Sequence, residues 1–368
     1  MEKSLLVFDK FVRSEATKKT YLHYFNAFLK WAQKNVEKLV TADGLLQLKD
    51  EKLQEIVEDY LMYLRKRLSP NSIPAIIASL ELFFSMNDKN LNFKKIRRMV
   101  PTATKKSGHE SWSTTDIQKM FQNTVSRRDR AFVHLLASTG CRIGALQELK
   151  IKHLPSMSDN CKSVLFYEGS NEEYFGFLTP EANKAVDEYL DERRKDGEHI
   201  DQDSPIFRSS YQIGIQKTKA MSTASAKMIA LRLAKSVVRN KQGRRYSVMA
   251  AHGFRKKFST LLKSADNANQ ALCEKLMGHR GIFHLDGSYL IPSKDQLFTE
   301  FKKHIPNLTI DDSERNKITI AKLEAEKSEL ESKNEEIQIQ NDELARQSQA
   351  IDNILKELEE LKKKTGTN

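Results

Sequence analysis

Leu323, Leu330, Ile337, Leu344, Ile351 and Leu358 recur at intervals of seven residues. An apolar repeat of that period has one well-defined solution, a helix whose stripe is covered by a partner helix. With these residues at heptad position d, position a holds Ile320, Lys327, Asn334, Asn341, Ser348 and Leu355. Asparagine at a selects register and favours two strands, so a parallel coiled-coil dimer through residues 318–361 is expected. The competing arrangement is a single solvated helix held by charge pairs four residues apart.

Such a tail builds no core, so the fold must come from the residues before it. A chain of 368 residues exceeds one ordinary core, and two or more domains are expected in all. From Asp311 onward there are 15 acidic and 10 basic residues, a net of −5, so the +12 of the whole chain leaves +17 on residues 1–310. That excess favours a polyanionic partner, nucleic acid ahead of an anionic membrane surface. No window reaches bilayer-spanning length, and the opening MEKSLLVFDKFVRSE lacks the apolar run and cleavage site of a secretory leader. Cys141, Cys161 and Cys273 form neither an even framework nor a Cys-x-x-Cys pair, which points away from disulfides and structural zinc. A reduced cytoplasmic protein is the expectation, without metal or other cofactor.

Residues 1–103 carry apolar positions at helical spacing: Tyr21, Phe25, Phe28 and Trp31; Ile56, Tyr60, Tyr63 and Leu64; Ile76, Leu80, Phe83 and Phe84. They predict a small helical bundle with the aromatics in its core rather than stacked on bases. The bundle ends in a basic run, Lys94, Lys95, Arg97 and Arg98, followed by a linker with Lys105 and Lys106. At a domain joint these six are candidate phosphate contacts, against the alternative of a solvated face. Residues 104–310 read as mainly α with one small sheet. SVLFYEG and EYFGFLT alternate as a β-hairpin, and TPEANKAVDEYLDERR, STASAKMIALRLAKSVV and HGFRKKFSTLLKS follow as helices.

The chemistry is expected in that second domain. No G-x-x-x-x-G-K-[ST], G-x-G-x-x-G or H-E-x-x-H is present. Instead S-T-G-C-R-I-G-A-L sets Arg142 after a glycine stop, in the first turn of a helix, where free amides also favour an anion. H-G-F-R puts His252 and Arg255 on one helical face, with Lys256 and Lys257 on others, solvated or near neighbouring phosphates. L-M-G-H-R-G exposes His279 beyond a helix end, and D-G-S-Y sets Tyr289 in a loop. Singly, each has an ordinary structural explanation. Together, two guanidiniums can neutralise a phosphodiester, two imidazoles can hold or move protons, and a phenol can attack phosphorus.

This ordered set resembles the catalytic domain of tyrosine recombinases, the phage-type integrases. Their order of arginine, H-x-x-R, G-H and tyrosine is matched by Arg142, His252 with Arg255, His279 and Tyr289. The wording S-T-G-C-R-I-G-A-L and L-M-G-H-R-G-I-F-H-L-D-G-S-Y is especially similar to archaeal integrases. Y-L-H-Y-F-N-A-F-L-K-W in the front domain is similar to their core-binding domain. The resemblance implies a helical DNA-binding domain (1–103) and a catalytic domain (104–310), ahead of the coiled-coil tail (311–368) read from the heptads. It implies metal-free, ATP-independent cleavage and rejoining of double-stranded DNA at specific sites, through a 3′-phosphotyrosyl link on Tyr289, by protomers assembled as a tetrameric synapse. It implies a nucleoid-associated protein of a mobile element.

The sequence departs from the family at two points. Ala145 stands where an acidic residue often supports the first arginine, and the hairpin turn F-Y-E-G-S-N-E-E-Y has no lysine to protonate the leaving group. Lys162, Lys217 and Lys219 are the nearest candidates. A dimeric DNA-binding regulator on a recombinase scaffold and a type IB topoisomerase are the alternative readings, with a structural coiled-coil linker behind them.

Overall fold

The computed structural model describes residues 3–12, 14–36, 41–103, 108–209, 218–242, 245–265, 267–279 and 289–366. The chain divides into two compact units, Met1–Lys106 and Ser107–Asn368.

The first unit is helical: α1 (Lys3–Phe11), α2 (Glu15–Asn35), α3 (Ala42–Leu46), α4 (Asp50–Arg67), α5 (Ile73–Met86) and α6 (Phe93–Met99). Each start has a local cause. Ser14 accepts from the Thr17 amide, Thr41 from Gly44 and Asn92 from Lys95, satisfying amides that a helix start leaves free. Phe8, Phe25, Phe28, Phe83 and Phe84 are fully buried, and the Phe25 and Phe83 rings lie 3.9 Å apart. At about 1.5–3 kcal/mol per buried side chain, these rings dominate the unit's cohesion. Tyr60 is buried with them, while Tyr21, Trp31 and Tyr63 pack on the core from its edge. The expected aromatic stripes are therefore packing. Helix α6 carries the basic run: Phe93 and Ile96 face inward, and Lys94, Lys95, Arg97 and Arg98 face solvent. Lys95 pairs with Glu58 and Arg97 with Glu81. Lys105 and Lys106 lie outside the described residues.

The second unit is built around α8 (Arg127–Thr139), buried from Ala131 through Thr139. Around it lie α7 (Thr114–Gln122), α9 (Pro180–Lys195), α10 (Thr223–Leu233), α11 (His252–Lys263) and α12 (Gln270–Leu276). The hairpin β1 (Lys162–Phe166) and β2 (Tyr174–Leu178) pairs antiparallel, with Lys162 opposite Leu178 and Phe166 opposite Tyr174. A second ladder joins Lys241–Gln242 to Arg245–Tyr246, so there are two small sheets where the sequence suggested one. Two residues a side carry too little alternation to register as strands.

One buried ion cluster fixes the end of α9. Arg193 is fully buried, donates to both oxygens of Glu198, and also donates to the Pro205 and Ile206 carbonyls. Burial alone would push the Glu198 carboxyl up, but Arg193, Thr218 and Arg208 hold it down to about 2.

The tail is a helix from Asp312 to Thr365, 54 residues, about 80 Å long. Asp311 caps it by accepting from Glu314. Its root is tied to the rest of the second unit: Glu181 accepts from the Ile310 and Asp311 amides, and Arg315 donates to the Thr309 carbonyl. Beyond Ile318 the helix is solvated, and Leu323, Leu330, Ile337, Leu344, Ile351 and Leu358 are all exposed.

Candidate active site

The site grows from two helix ends. Helix α8 stops at Gly140, which is left-handed (φ +57) and touches Phe258 so closely that a Cβ would lie 2.5 Å from its ring. Two residues on, Arg142 caps a short 3₁₀ turn, Ile143–Gln147, with extended backbone. The sequence suggested the first turn of an α-helix; the segment is too short, and Ala145 anchors it in the core at 1% exposure. The Arg142 guanidinium projects outward, 43% exposed, 3.5 Å from the Glu172 carboxylate.

The second end is a Schellman motif closing α12. Gly278 (φ +64) donates its amide to the Lys275 carbonyl, and the next residue, His279, reaches back to the Glu274 carbonyl at 3.0 Å. The motif ordinarily pairs two apolar side chains across the turn. Here the pair is Glu274 and His279, with Oε2 2.5 Å from Nδ1. Burial would raise the Glu274 carboxyl, but Lys263 and His279 lower it, so it is ionised at neutral pH.

Arg255 joins the two ends. Helix α11 begins where Trp112 Nε1 donates to the Ala250 carbonyl (2.9 Å), and it carries His252 and Arg255 one turn apart. Arg255 is 6% exposed. Its Nη1 donates to the Gly140 carbonyl (2.8 Å), its Nη2 to the Met277 carbonyl (2.5 Å), and Nη2 also lies 2.9 Å from His279 Nε2. An arginine is always a donor, so Nε2 accepts and the His279 proton sits on Nδ1, facing Glu274. The guanidinium thus spans the carbonyl ends of α8 and α12, whose dipoles favour a cation there. His252 stands at the surface. Partial desolvation, then the Lys256 and Arg255 charges, lower its pKa, leaving the imidazole neutral near pH 7 with a free lone pair.

Arg255 and His279 are in contact, and Arg142 and His252 flank them through Gly140 and α11. Tyr289 is not joined to them by any contact among the described residues: it is helical rather than looped, and 83% exposed. Lys256 bonds the Gly108 carbonyl. Lys257 is 7% exposed and donates to Thr114 Oγ1 at 2.8 Å, so it does not take the solvent-facing role suggested for it. Lys162 pairs with Asp187, Lys219 is exposed, and Lys217 lies outside the described residues.

Sequence reasoning missed Glu274, Glu172 and Tyr174. Glu274 had a signal: in a helix ending at Gly278, the residues four before and one after the glycine meet. Cys273, Glu300 and His304 are buried with donor atoms within 4.8 Å of one another, the one such group among the described residues. Glu300 already accepts from the Asn269 amide (2.8 Å), Lys303 (2.7 Å) and His304 (3.3 Å), so the cluster is a structural staple rather than a vacant metal site. A cavity of about 870 Å³ lies between Arg130, His134, Glu181 and Asp311, lined by none of Arg142, His252, Arg255, His279 and Tyr289.

The phage integrase family matches residues 113–294. No curated protein matches. Among solved structures, the Tn1549 transposon integrase in complex with circular intermediate DNA is 16% identical, with a TM-score of 0.53 over 82% of this chain and 99% of that one. A lambda integrase dimer bound to a core site is 13% identical, with a TM-score of 0.50 over 81% and 92%. XerA recombinase is 22% identical over 82% and 98%, with a TM-score of 0.36. The first two share the fold with this chain. Residues 113–294, just under half of the chain, thus match the phage integrase family, and the fold around them is that of the integrases above.

Proposed function

We propose that the chain cleaves and rejoins double-stranded DNA at specific sites, with Arg142 and Arg255 on the scissile phosphate and Tyr289 as nucleophile. The observation that carries this is the Arg255 hub: a buried, fixed guanidinium touching an imidazole that a carboxylate backs from behind. Such an arrangement is suited to charge that builds on a pentacoordinate phosphorus.

The Tyr289 oxygen attacks phosphorus while its proton passes to neutral His252. The phosphorus–oxygen bond to the 5′ carbon breaks, leaving a 3′-phosphotyrosyl ester and a 5′-hydroxyl once the leaving oxygen gains a proton. The ester conserves the energy of the broken bond, so rejoining needs neither ATP nor metal. His279, supported by Glu274, supplies hydrogen bonding to the same phosphate. Because its Nε2 accepts from Arg255 in the DNA-free protein, His279 donates to the phosphate only once Nε2 has left Arg255 and gained a proton, with Glu274 balancing the imidazolium. Lys162, Lys217 and Lys219 are the candidate lysines for protonating the leaving oxygen.

The relatives of this fold include integrases in complex with circular intermediate DNA and with a core site, and the +17 of residues 1–310 supports the same partner here. Front-domain residues 1–103, with Lys94, Lys95, Arg97, Arg98 and the Lys105-Lys106 linker, would hold the backbone. Residues 311–368 would pair with a second copy through the heptad stripe, in register through Asn334 and Asn341, and assembly on DNA would be tetrameric. The motif wording supports a place near archaeal integrases. Among the described residues no helix is long and apolar enough to cross a membrane, and a nucleoid-associated cytoplasmic enzyme of a mobile element fits this chemistry.

Tyr289→Phe tests the reading on a nicked suicide substrate. The variant should bind the duplex like the parent and form no covalent adduct. A normal adduct yield would move the nucleophile elsewhere. Full binding by the parent with no adduct would favour the regulator, and relaxation of supercoils without paired sites the topoisomerase.

A further inference from the structure

Tyr174 opens β2 inside the catalytic unit and is 8% exposed. Its ring stacks on Phe166 with centroids 4.8 Å apart, and Gly278 presses against it so tightly that a Cβ there would lie 2.6 Å from ring carbons. The ring is therefore fixed in place by the same glycine that turns His279 toward Arg255.

Its hydroxyl is the anomaly. The oxygen is buried and at most takes a loose bond from the Arg255 guanidinium, which can only donate, so the O–H has no acceptor among the described residues. It lies beside the Arg255 guanidinium, and Arg142 also acts on it electrostatically. Burial keeps the phenol protonated, pushing its pKa up. An unpaired buried O–H lowers stability, and a phenylalanine would fill this slot without that cost. Burial and neutrality also separate its role from that of exposed Tyr289: this phenol is not placed to attack. Two cations orient it, drawing the oxygen's lone pairs toward the guanidiniums and turning the O–H toward whatever anion they hold.

We propose that Tyr174 is a third, neutral donor to the phosphate gripped by Arg142 and Arg255, its O–H, without an acceptor among the described residues, turning to the phosphate when DNA binds. The inference rests on the recombinase reading and deepens it.

A donor to the phosphate and a packing residue respond differently to Tyr174→Phe. The full-length variant and parent would be compared by urea midpoint, by duplex affinity and by single-turnover adduct formation on a nicked suicide substrate. The expected result is a midpoint equal to or above the parent's, affinity within about twofold and adduct formation slowed at least about tenfold, the size of one lost transition-state hydrogen bond. Phe166→Leu, which loosens the ring's packing but keeps the hydroxyl, should lower the midpoint and slow adduct formation less than Tyr174→Phe. Adduct formation by Tyr174→Phe at the parent's rate would overturn the proposal while leaving the recombinase reading intact. A lowered midpoint accompanying the slower rate would also overturn it, as the mark of a packing role. A parent that makes no adduct would bring down the recombinase reading itself.

Discussion

Glu274→Gln probes the back of the site without touching its front. Glu274 holds His279 Nδ1 at 2.5 Å and pairs with Lys263, with its side chain 13% exposed. Glutamine is nearly isosteric, and its amide oxygen can still accept from Nδ1–H, so the tautomer and ring orientation survive. What is lost is the negative charge that balances the imidazolium while its Nε2–H faces the charge accumulating on the phosphate. A hydrogen bond to a charged partner contributes about 1.5–3 kcal/mol, roughly 1 more than a neutral one, and low exposure limits solvent screening here. If the whole charged interaction matters only in the transition state, strand cleavage slows about 10- to 150-fold; if the amide recovers the neutral part, about 5- to 10-fold. The assay is single-turnover formation of the covalent adduct at saturating protein, with duplex affinity measured in parallel by fluorescence anisotropy. Unchanged affinity and a rate at least about fivefold down are expected. A rate within twofold of the parent would show that His279 does not act through Glu274, and the Schellman-motif argument for the site would fail.

Two further outcomes follow from the structure. The Glu198 carboxyl is held at about 2 against an ordinary 4.5, so its contribution to stability is complete above about 4.5 and is lost as pH falls toward 2. The shift corresponds to an upper bound of about 3 kcal/mol, and Glu198→Gln should flatten the acid limb of urea midpoint against pH; an unchanged limb would remove Glu198 as its cause. Truncation after Thr319 keeps Arg315 and Ile318 on the catalytic unit but removes the heptad stripe; sedimentation should give a dimer for the full chain without DNA and a monomer for the truncated one, and equal masses would leave the tail a lone helix.

Helical stripes such as Ile76, Leu80, Phe83 and Phe84 were legible in the sequence because periodicity follows directly from which face a helix buries. The pairing of His252 with Arg255 was legible for the same reason. Arg142 was legible as a residue but not as a conformation: the expected α-helical turn is a 3₁₀ turn, because Ala145 and Leu146 must drop into the core immediately after it. Lys257 misled, since a lysine's charge says nothing of whether its stem is drawn under Thr114. Glu172 and Tyr174 were illegible because they meet the arginines only through strand pairing, a contact set by register rather than spacing.

The exposures around the proposed phosphate site separate a fixed part from a free one. Arg255 is 6% exposed and anchored to two carbonyls, whereas Arg142 is 43% exposed and Tyr289 83%. The Gly140 and Met277 carbonyls fix Arg255 before substrate arrives, and its contact with His279 is the one that must change later. Arg142 bears a lesser desolvation cost and holds an exposed carboxylate at 3.5 Å, an interaction worth about 1 kcal/mol or less. A phosphate can displace Glu172 from Arg142 far more readily than it can re-aim Arg255. Binding should therefore begin at Arg255 as a preformed seat and finish at Arg142 and Tyr289, which makes arrival of the nucleophile, rather than assembly of the charge-holding groups, the step that DNA must organise.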